Sequence, residues 1–188
     1  RKLDDFRVGD LYEHPWEVTV DPGMLGLWTG AFLDACPVWA SDEYGRRLGL
    51  KGRAVSPSLV LNLGLSFSVH DVSQQAIAHL AYIDVRFPRP LYPGDTFRAW
   101  SEVLGVKPSR KPDRGTVHVR TVGINQHDEI VLSFERKALI RAGAVEGQPE
   151  TLVRTLSDAE AQKLSDLGFA PSEVQSAADV GSVGQPFF

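Results

Sequence analysis

Residues 56–69 have the sequence SPSLVLNLGLSFSV, which contains the signals of a helix start followed by a long apolar run. Pro57 suits the first position of a helix, because its missing N–H would have no partner there in any case. We expect the Ser56 hydroxyl to cap the amides of the first turn. The residues that follow are apolar on nearly every side, which is typical of a buried helix. This stretch therefore predicts a long central helix.

After this helix the apolar residues alternate with polar ones, a pattern that indicates strands. The alternating runs are residues 77–87, 97–104, 115–125 and 130–140, and short turn-rich loops join them. Connections of this length favour antiparallel neighbours. The sequence thus predicts an α+β fold, in which an antiparallel sheet wraps around the central helix.

The regions on either side of this body differ from it in pattern. Residues 5–20 resemble an edge strand, and the apolar spacing of residues 22–50 predicts helices broken around Cys36 and Pro37. From residue 143 onward Gly, Ala, Pro and Ser become frequent, and a capping-box pattern at residues 157–160 predicts one short helix. We therefore assign residues 1–142 to the domain and residues 143–188 to a C-terminal extension.

The composition excludes several classes of protein. The chain has 188 residues, of which 43% are hydrophobic and 23% charged, and its net charge is −4. This charge and the absence of a basic stretch argue against a nucleic-acid partner. No apolar run approaches the roughly 20 residues that span a membrane. Cys36 is the only cysteine, and the five histidines show no ligand spacing with it. We expect a soluble cytoplasmic protein without a disulfide or a metal.

The order of helix and strands resembles that of the MaoC-like acyl-CoA hydratases and dehydratases. The stretches VSQQA (72–76), RFPRPLYPGDT (86–96) and GINQ (123–126) are most similar to the N-terminal half of the mesaconyl-CoA hydratase branch. The resemblance covers residues 4–141 and implies a hot-dog fold, whose units pair with acyl-CoA between them. It also implies reversible water addition between an enoyl-CoA and a 3-hydroxyacyl-CoA thioester. Coenzyme A is then part of the substrate, and no separate cofactor is implied.

The catalytic motifs of that family are altered in this chain. The motif D-x-N-P-x-H, whose Asp and His hold and activate water, falls on residues 34–39, with Cys36 in place of Asn and Trp39 in place of His. An indole has only an N–H donor and cannot exchange a proton near neutral pH. The family's His-Gly pair falls on Ser56 and Pro57. Pro57 has no N–H to stabilise charge on the thioester oxygen.

The remaining candidate site residues each have two interpretations. Asp34 is the candidate catalytic residue that survives, or else a helix cap or solvated charge. His70, beside Asp71, is either a second acid–base candidate or a histidine favoured by the end of a helix. Trp28, Phe32 and Trp39 either line an acyl-binding pocket or simply pack.

Two functions from different classes therefore remain open. The first is a hydratase or dehydratase with a degenerate motif, in which Asp34 is catalytic. The second is a non-catalytic, acyl-CoA-accommodating hot-dog subunit that pairs with a catalytic partner chain. Whichever function holds, we expect a homodimer or a heterodimer with another hot-dog chain. A third candidate, a hot-dog thioesterase, ranks below both because it needs a carboxylate near the start of the central helix, where the sequence has Ser56 and Ser58.

Overall fold

The helices lie mainly in the first third of the chain. In the computed structural model, which describes residues 1–146 and 153–169, they are α1 (Pro22–Phe32), α2 (Pro37–Ala40), α3 (Asp42–Arg47), α4 (Pro57–Ser68) and α5 (Asp158–Asp166). Leu33 ends α1 in a left-handed conformation, with φ 54°, and Pro37 begins α2. The break expected around Cys36 and Pro37 is therefore present. None of the described helices is long and apolar enough to cross a membrane.

The strands form one antiparallel sheet among the described residues. They are β1 (Leu11–Thr19), β2 (Ala76–Arg86), β3 (Thr96–Pro108), β4 (Arg114–Ile124), β5 (Ile130–Arg141) and β6 (Val153–Arg154). Their order in the sheet is β2-β5-β4-β3-β1-β6. The four strands expected after the central helix are β2 to β5, and the α+β fold predicted from the sequence is confirmed.

The central helix α4 packs closely against the sheet at Gly64. A Cβ atom at this position would lie 2.5 Å from the side chain of Leu132 and 3.4 Å from that of Phe134. Leu59 and Val60 are buried on the same side. The expectation of a helix buried all round is wrong, because Ser58, Asn62 and Ser66 are exposed. The sheet covers one side of α4 and leaves the other open.

A buried polar network ties the end of α4 to three strands. His14 Nδ1 of β1 lies 2.7 Å from Asp71 Oδ2, which belongs to a π-helical turn after α4. His14 Nε2 lies 2.8 Å from Ser101 Oγ of β3, which in turn lies 2.8 Å from Thr121 Oγ1 of β4. The side chains of His14 and Asp71 are 0% and 1% exposed. These groups satisfy one another away from water.

The described part of the C-terminal extension crosses the sheet on the face opposite α4. β6 pairs with β1, and α5 begins with the expected capping box between Ser157 and Glu160. Leu164 and Phe169 pack with Trp100 of β3. The guanidinium of Arg86, on β2, donates to the carbonyl of Gly168 at 3.2 Å.

Glu135 should make the stability of the fold depend on pH. On the sheet face opposite α4 its carboxylate accepts from His118 at 2.9 Å and from Arg120 at 2.8 Å. These hydrogen bonds, that of His118 first, lower the pKa of Glu135 from 4.5 to about 2. A lowered carboxyl pKa adds stability that is complete above the unfolded pKa and is lost as the pH falls through the folded one. We expect Glu135→Gln to flatten the loss of stability from pH 4.5 to about 2.

Urea unfolding at a series of pH values measures this dependence. Glu17→Gln, at an exposed glutamate of β1, is the matched control and should unfold as the wild type does at each pH. An equally steep acid limb in Glu135→Gln and the wild type would show that other groups cause the loss of stability.

Candidate functional site

The carboxylate of Asp34 lies at the start of α4 and is surrounded by donors. Asp34 belongs to the link between α1 and α2. It accepts hydrogen bonds from the hydroxyl of Ser56, from Trp39 Nε1 at 2.8 Å and from the hydroxyl of Ser58 at 2.8 Å. Ser56 and Ser58 lie 2.7 Å apart through their hydroxyl oxygens. The altered motif positions Trp39 and Ser56 therefore meet on the one motif carboxylate that remains.

These donors stabilise the ionised form of Asp34. The hydrogen bond from Ser56, followed by that from Trp39, lowers the pKa of Asp34 below its ordinary value, although partial burial opposes them. The start of a helix also favours negative charge. Three donors fill most of the roughly four lone-pair positions of a carboxylate. Asp34 is thus a weak proton acceptor.

Ser56 does not cap α4 in the way the sequence suggests. Its side chain makes no capping hydrogen bond with the first-turn amides. The hydroxyl is directed toward Asp34 instead and donates a charge-assisted hydrogen bond to its carboxylate. Pro57 occupies the first helical position, as expected.

Two aromatic side chains border this cluster on the α1 side. Trp28 Nε1 donates to Ser58 Oγ at 3.0 Å, and the ring of Trp28 packs on Phe32 with 4.1 Å between centroids. The side of Phe32 away from Trp28 is open, and the residue is 63% exposed. Trp28 and Trp39 thus belong to the cluster, and Phe32 lies next to it.

His70 lies at the other end of α4, away from Asp34. Its Nδ1 atom is 3.6 Å from Asp71 Oδ1, whereas His14 holds the other oxygen of Asp71 at 2.7 Å. The helix between Ser56 and His70 spans roughly 20 Å at about 1.5 Å per residue. The other histidines have partners elsewhere: His14 contacts Asp71, His79 contacts Tyr82, His118 contacts Glu135 and His127 contacts Gln126. No histidine of the described residues is therefore positioned to exchange protons with Asp34.

The surroundings of the cluster include a small pocket. It has a volume of about 250 Å³, and Trp39 and Pro57 are part of its wall. A cleft of about 440 Å³ lies beneath α5, but Trp100, Arg154 and Glu160 line it, and no member of the Asp34 cluster does. Cys36 is a half-buried free thiol. The described residues contain no group of three or more His, Cys, Asp or Glu side chains able to hold a metal ion.

Comparison with known proteins assigns the chain to a family. A family model described as mesaconyl-CoA hydratase matches residues 1–176. The chain belongs to the mesaconyl-CoA hydratase family. The resemblance seen in its sequence is thereby confirmed.

Relatives of known name support the same assignment. The chain is 33% identical to a beta-methylmalyl-CoA dehydratase of Chloroflexus aurantiacus over 83% of this chain and 45% of the relative. It is 36% identical to a mesaconyl-CoA hydratase of Cereibacter sphaeroides over 75% of this chain and 41% of the relative. The chain thus spans less than half the length of either curated relative.

A solved structure confirms the fold. The crystal structure of a MaoC domain protein from Chloroflexus aurantiacus matches with a TM-score of 0.75 and 33% identity, over 84% of this chain and 45% of that one. The hot-dog fold, an antiparallel sheet wrapped around a central helix, is the one expected from the resemblance.

Proposed function

We propose that this chain is a hot-dog unit of a CoA-thioester hydratase or dehydratase that accommodates acyl-CoA and depends on a second hot-dog unit for acid–base catalysis. The proposal rests on the hydrogen bonding of Asp34, whose carboxylate accepts hydrogen bonds from Ser56, Ser58 and Trp39. It is the non-catalytic alternative of the two functions that the sequence left open.

Addition of water to an enoyl thioester needs a proton acceptor for the water and a donor for the thioester oxygen. Asp34 is a poor acceptor, because hydrogen bonds lower its pKa away from the working range of a general base. Trp39 donates its indole N–H to Asp34, and an indole does not exchange this proton near neutral pH. Pro57 offers no N–H, and the charge of Asp34 at the start of α4 opposes a second negative charge there. Both requirements are unmet within this cluster.

The surface of β2 supports pairing with a second unit. β2 lies at one end of the sheet, and the described residues place no strand beside its outer edge. Its exposed apolar side chains are Ile77, Leu80, Tyr82 and Val85, and Phe87, directly after the strand, is exposed as well. An open, apolar strand edge associates readily with another strand.

A catalytic role for Asp34 remains the second candidate. Asp34 is only partly buried and adjoins the pocket beside Trp39, so that water and substrate can approach it. A unit of this kind would hydrate enoyl-CoA without a partner unit and would lose that activity in Asp34→Asn.

A thioesterase is the third candidate. It requires a carboxylate near the start of α4, and Asp34 lies there. Thioesterase activity would release free CoA thiol.

Leu80→Lys should disrupt the proposed pairing. Leu80 of β2 is 50% exposed, and a lysine there would bring charge into an apolar interface. We expect the purified wild-type chain to sediment as a dimer and Leu80→Lys to sediment as a monomer at the same concentration. Leu48→Lys is the matched control, because Leu48 follows α3 and is 56% exposed. Equal sedimentation of the two variants as dimers would place the interface elsewhere.

A further inference from the structure

The cleft beneath α5 lies on the face of the sheet opposite α4, away from the Asp34 cluster. Its volume of about 440 Å³ is within the range of small-molecule sites, roughly 300–1,000 Å³. Trp100, Ile124 and Ile130 are the apolar part of its lining. No residue of the Asp34 cluster lines it. The cleft is therefore a candidate for a binding site separate from that cluster.

Trp100 brings a hydrogen-bond donor to this cleft. Among the residues that the structure describes, its indole N–H has no acceptor, although Trp100 is only 6% exposed. Leu164 of α5 and Phe169 pack with Trp100 on the same face of the sheet. Because polar groups in protein interiors are nearly always hydrogen-bonded, a ligand that carries an acceptor would complete this environment.

Charged side chains of both signs surround the cleft. Those that line it and the adjoining pocket of about 190 Å³ are the cations Arg98, Arg154 and Lys163 and the carboxylates Glu13, Asp128 and Glu160. Arg154 donates to Glu13 and to Glu160, each at 2.6 Å. Such a balance gives no advantage to a ligand of one sign alone, whereas a zwitterion is complementary to both signs.

Lys163 and Asp128 keep capacity for a ligand. Lys163 Nζ donates to the backbone oxygen of Asp128 at 3.3 Å and forms no ion pair with a carboxylate of the described residues. The Asp128 carboxylate accepts from Arg98 through Oδ1 at 2.9 Å, and no donor of the described residues reaches Oδ2. An ammonium has three N–H donors, and a carboxylate accepts at about four positions. Two neighbouring groups of opposite charge thus remain available at the rim.

We propose that the cleft beneath α5 binds an apolar α-amino acid, independently of acyl-CoA. The ammonium of the ligand contacts Asp128. Its carboxylate accepts from Lys163 and from the indole N–H of Trp100, and its side chain packs on Ile124 and Ile130. One carbon atom separates the ammonium from the carboxylate in an α-amino acid, which suits opposite charges that lie side by side.

Titration calorimetry of the full chain with L-phenylalanine, 3-phenylpropionate and phenethylamine tests the proposal. The two analogues keep the apolar side chain, and they lack the ammonium and the carboxylate respectively. We expect the wild type to bind L-phenylalanine about tenfold more tightly than either analogue. Asp128→Asn should abolish the preference over 3-phenylpropionate, and Lys163→Met should abolish the preference over phenethylamine.

The two variants change charge with little change of structure. Residue 128 has φ 56°, a left-handed conformation that asparagine adopts readily, so Asp128→Asn does not strain the turn. Lys163 lies on the exposed side of α5. Lys111→Met, in the exposed β3–β4 turn, is the matched control and should bind all three ligands as the wild type does.

Three results would overturn the proposal. The first is a wild type that binds no L-phenylalanine at millimolar concentrations. The second is a wild type that binds the three ligands equally, because the charges of the rim would then select nothing. The third is a preference for L-phenylalanine that persists in both variants, because the amino acid would then bind outside this cleft.

Discussion

Replacing His14 by alanine is expected to lower the free energy of unfolding by about 3 kcal/mol. His14 and Asp71 form a pair whose side chains are almost wholly buried, with 2.7 Å between Nδ1 and Oδ2. Removal of one partner from such a pair costs more than the pair itself contributes, because the other is left in the interior with less compensation. Ser101 would lose a hydrogen-bond partner as well. Urea unfolding at neutral pH measures the change.

His127→Ala is the control for this prediction. His127 lies in the exposed turn between β4 and β5, where a substitution should change the unfolding free energy by less than about 0.5 kcal/mol. If His14→Ala is as stable as His127→Ala, the network does not hold the end of α4 to the sheet.

Hydration of enoyl-CoA is expected only when this chain is paired with a hot-dog unit that carries an intact D-x-N-P-x-H motif. The chain alone should not accelerate hydration of crotonyl-CoA or mesaconyl-CoA, because the cluster around Asp34 lacks a general base. Positioned acid–base groups contribute about 10² to 10⁴ in rate, so pairing should raise the rate at least about 100-fold. The loss of enoyl-thioester absorbance reports the reaction.

Two results would contradict this second expectation. Hydration by the chain alone, at a rate close to that of the pair, would make it an enzyme without the usual histidine. Release of CoA thiol in place of hydration would identify a thioesterase that uses the carboxylate at the start of α4. A thiol reagent in a parallel assay separates these two results.

The central helix and the strands after it could be predicted from the sequence because local patterns determine them. Pro57 marks the first helical residue, and alternating apolar residues mark β2 to β5. The role of Ser56 could not be predicted in this way. Its hydroxyl donates to a carboxylate 22 residues away, and only the folded chain brings Asp34 within reach.

The buried network around His14 and Asp71 could not be predicted from the sequence for the same reason. Asp71 directly follows His70, and the sequence suggests that the two side chains are hydrogen-bonded. His70 Nδ1 lies 3.6 Å from Asp71 Oδ1, which is too far for a hydrogen bond. The closer partner is His14, which is 57 residues away on β1. The pocket beside Trp39 and Pro57 likewise depends on residues from α2, α4 and the segment after β2, whose meeting no local pattern encodes.

The rate of mesaconyl-CoA hydration by the paired units, with Asp34→Asn in this chain, shows which of the two units performs the acid–base chemistry. Asparagine keeps the size of the side chain and removes the carboxylate that a base would need. We expect a rate within twofold of that of the unsubstituted pair, whereas Asp→Asn in the partner's D-x-N-P-x-H motif should lower the rate by at least about 100-fold. A loss of that size from Asp34→Asn would show that this unit performs the chemistry itself.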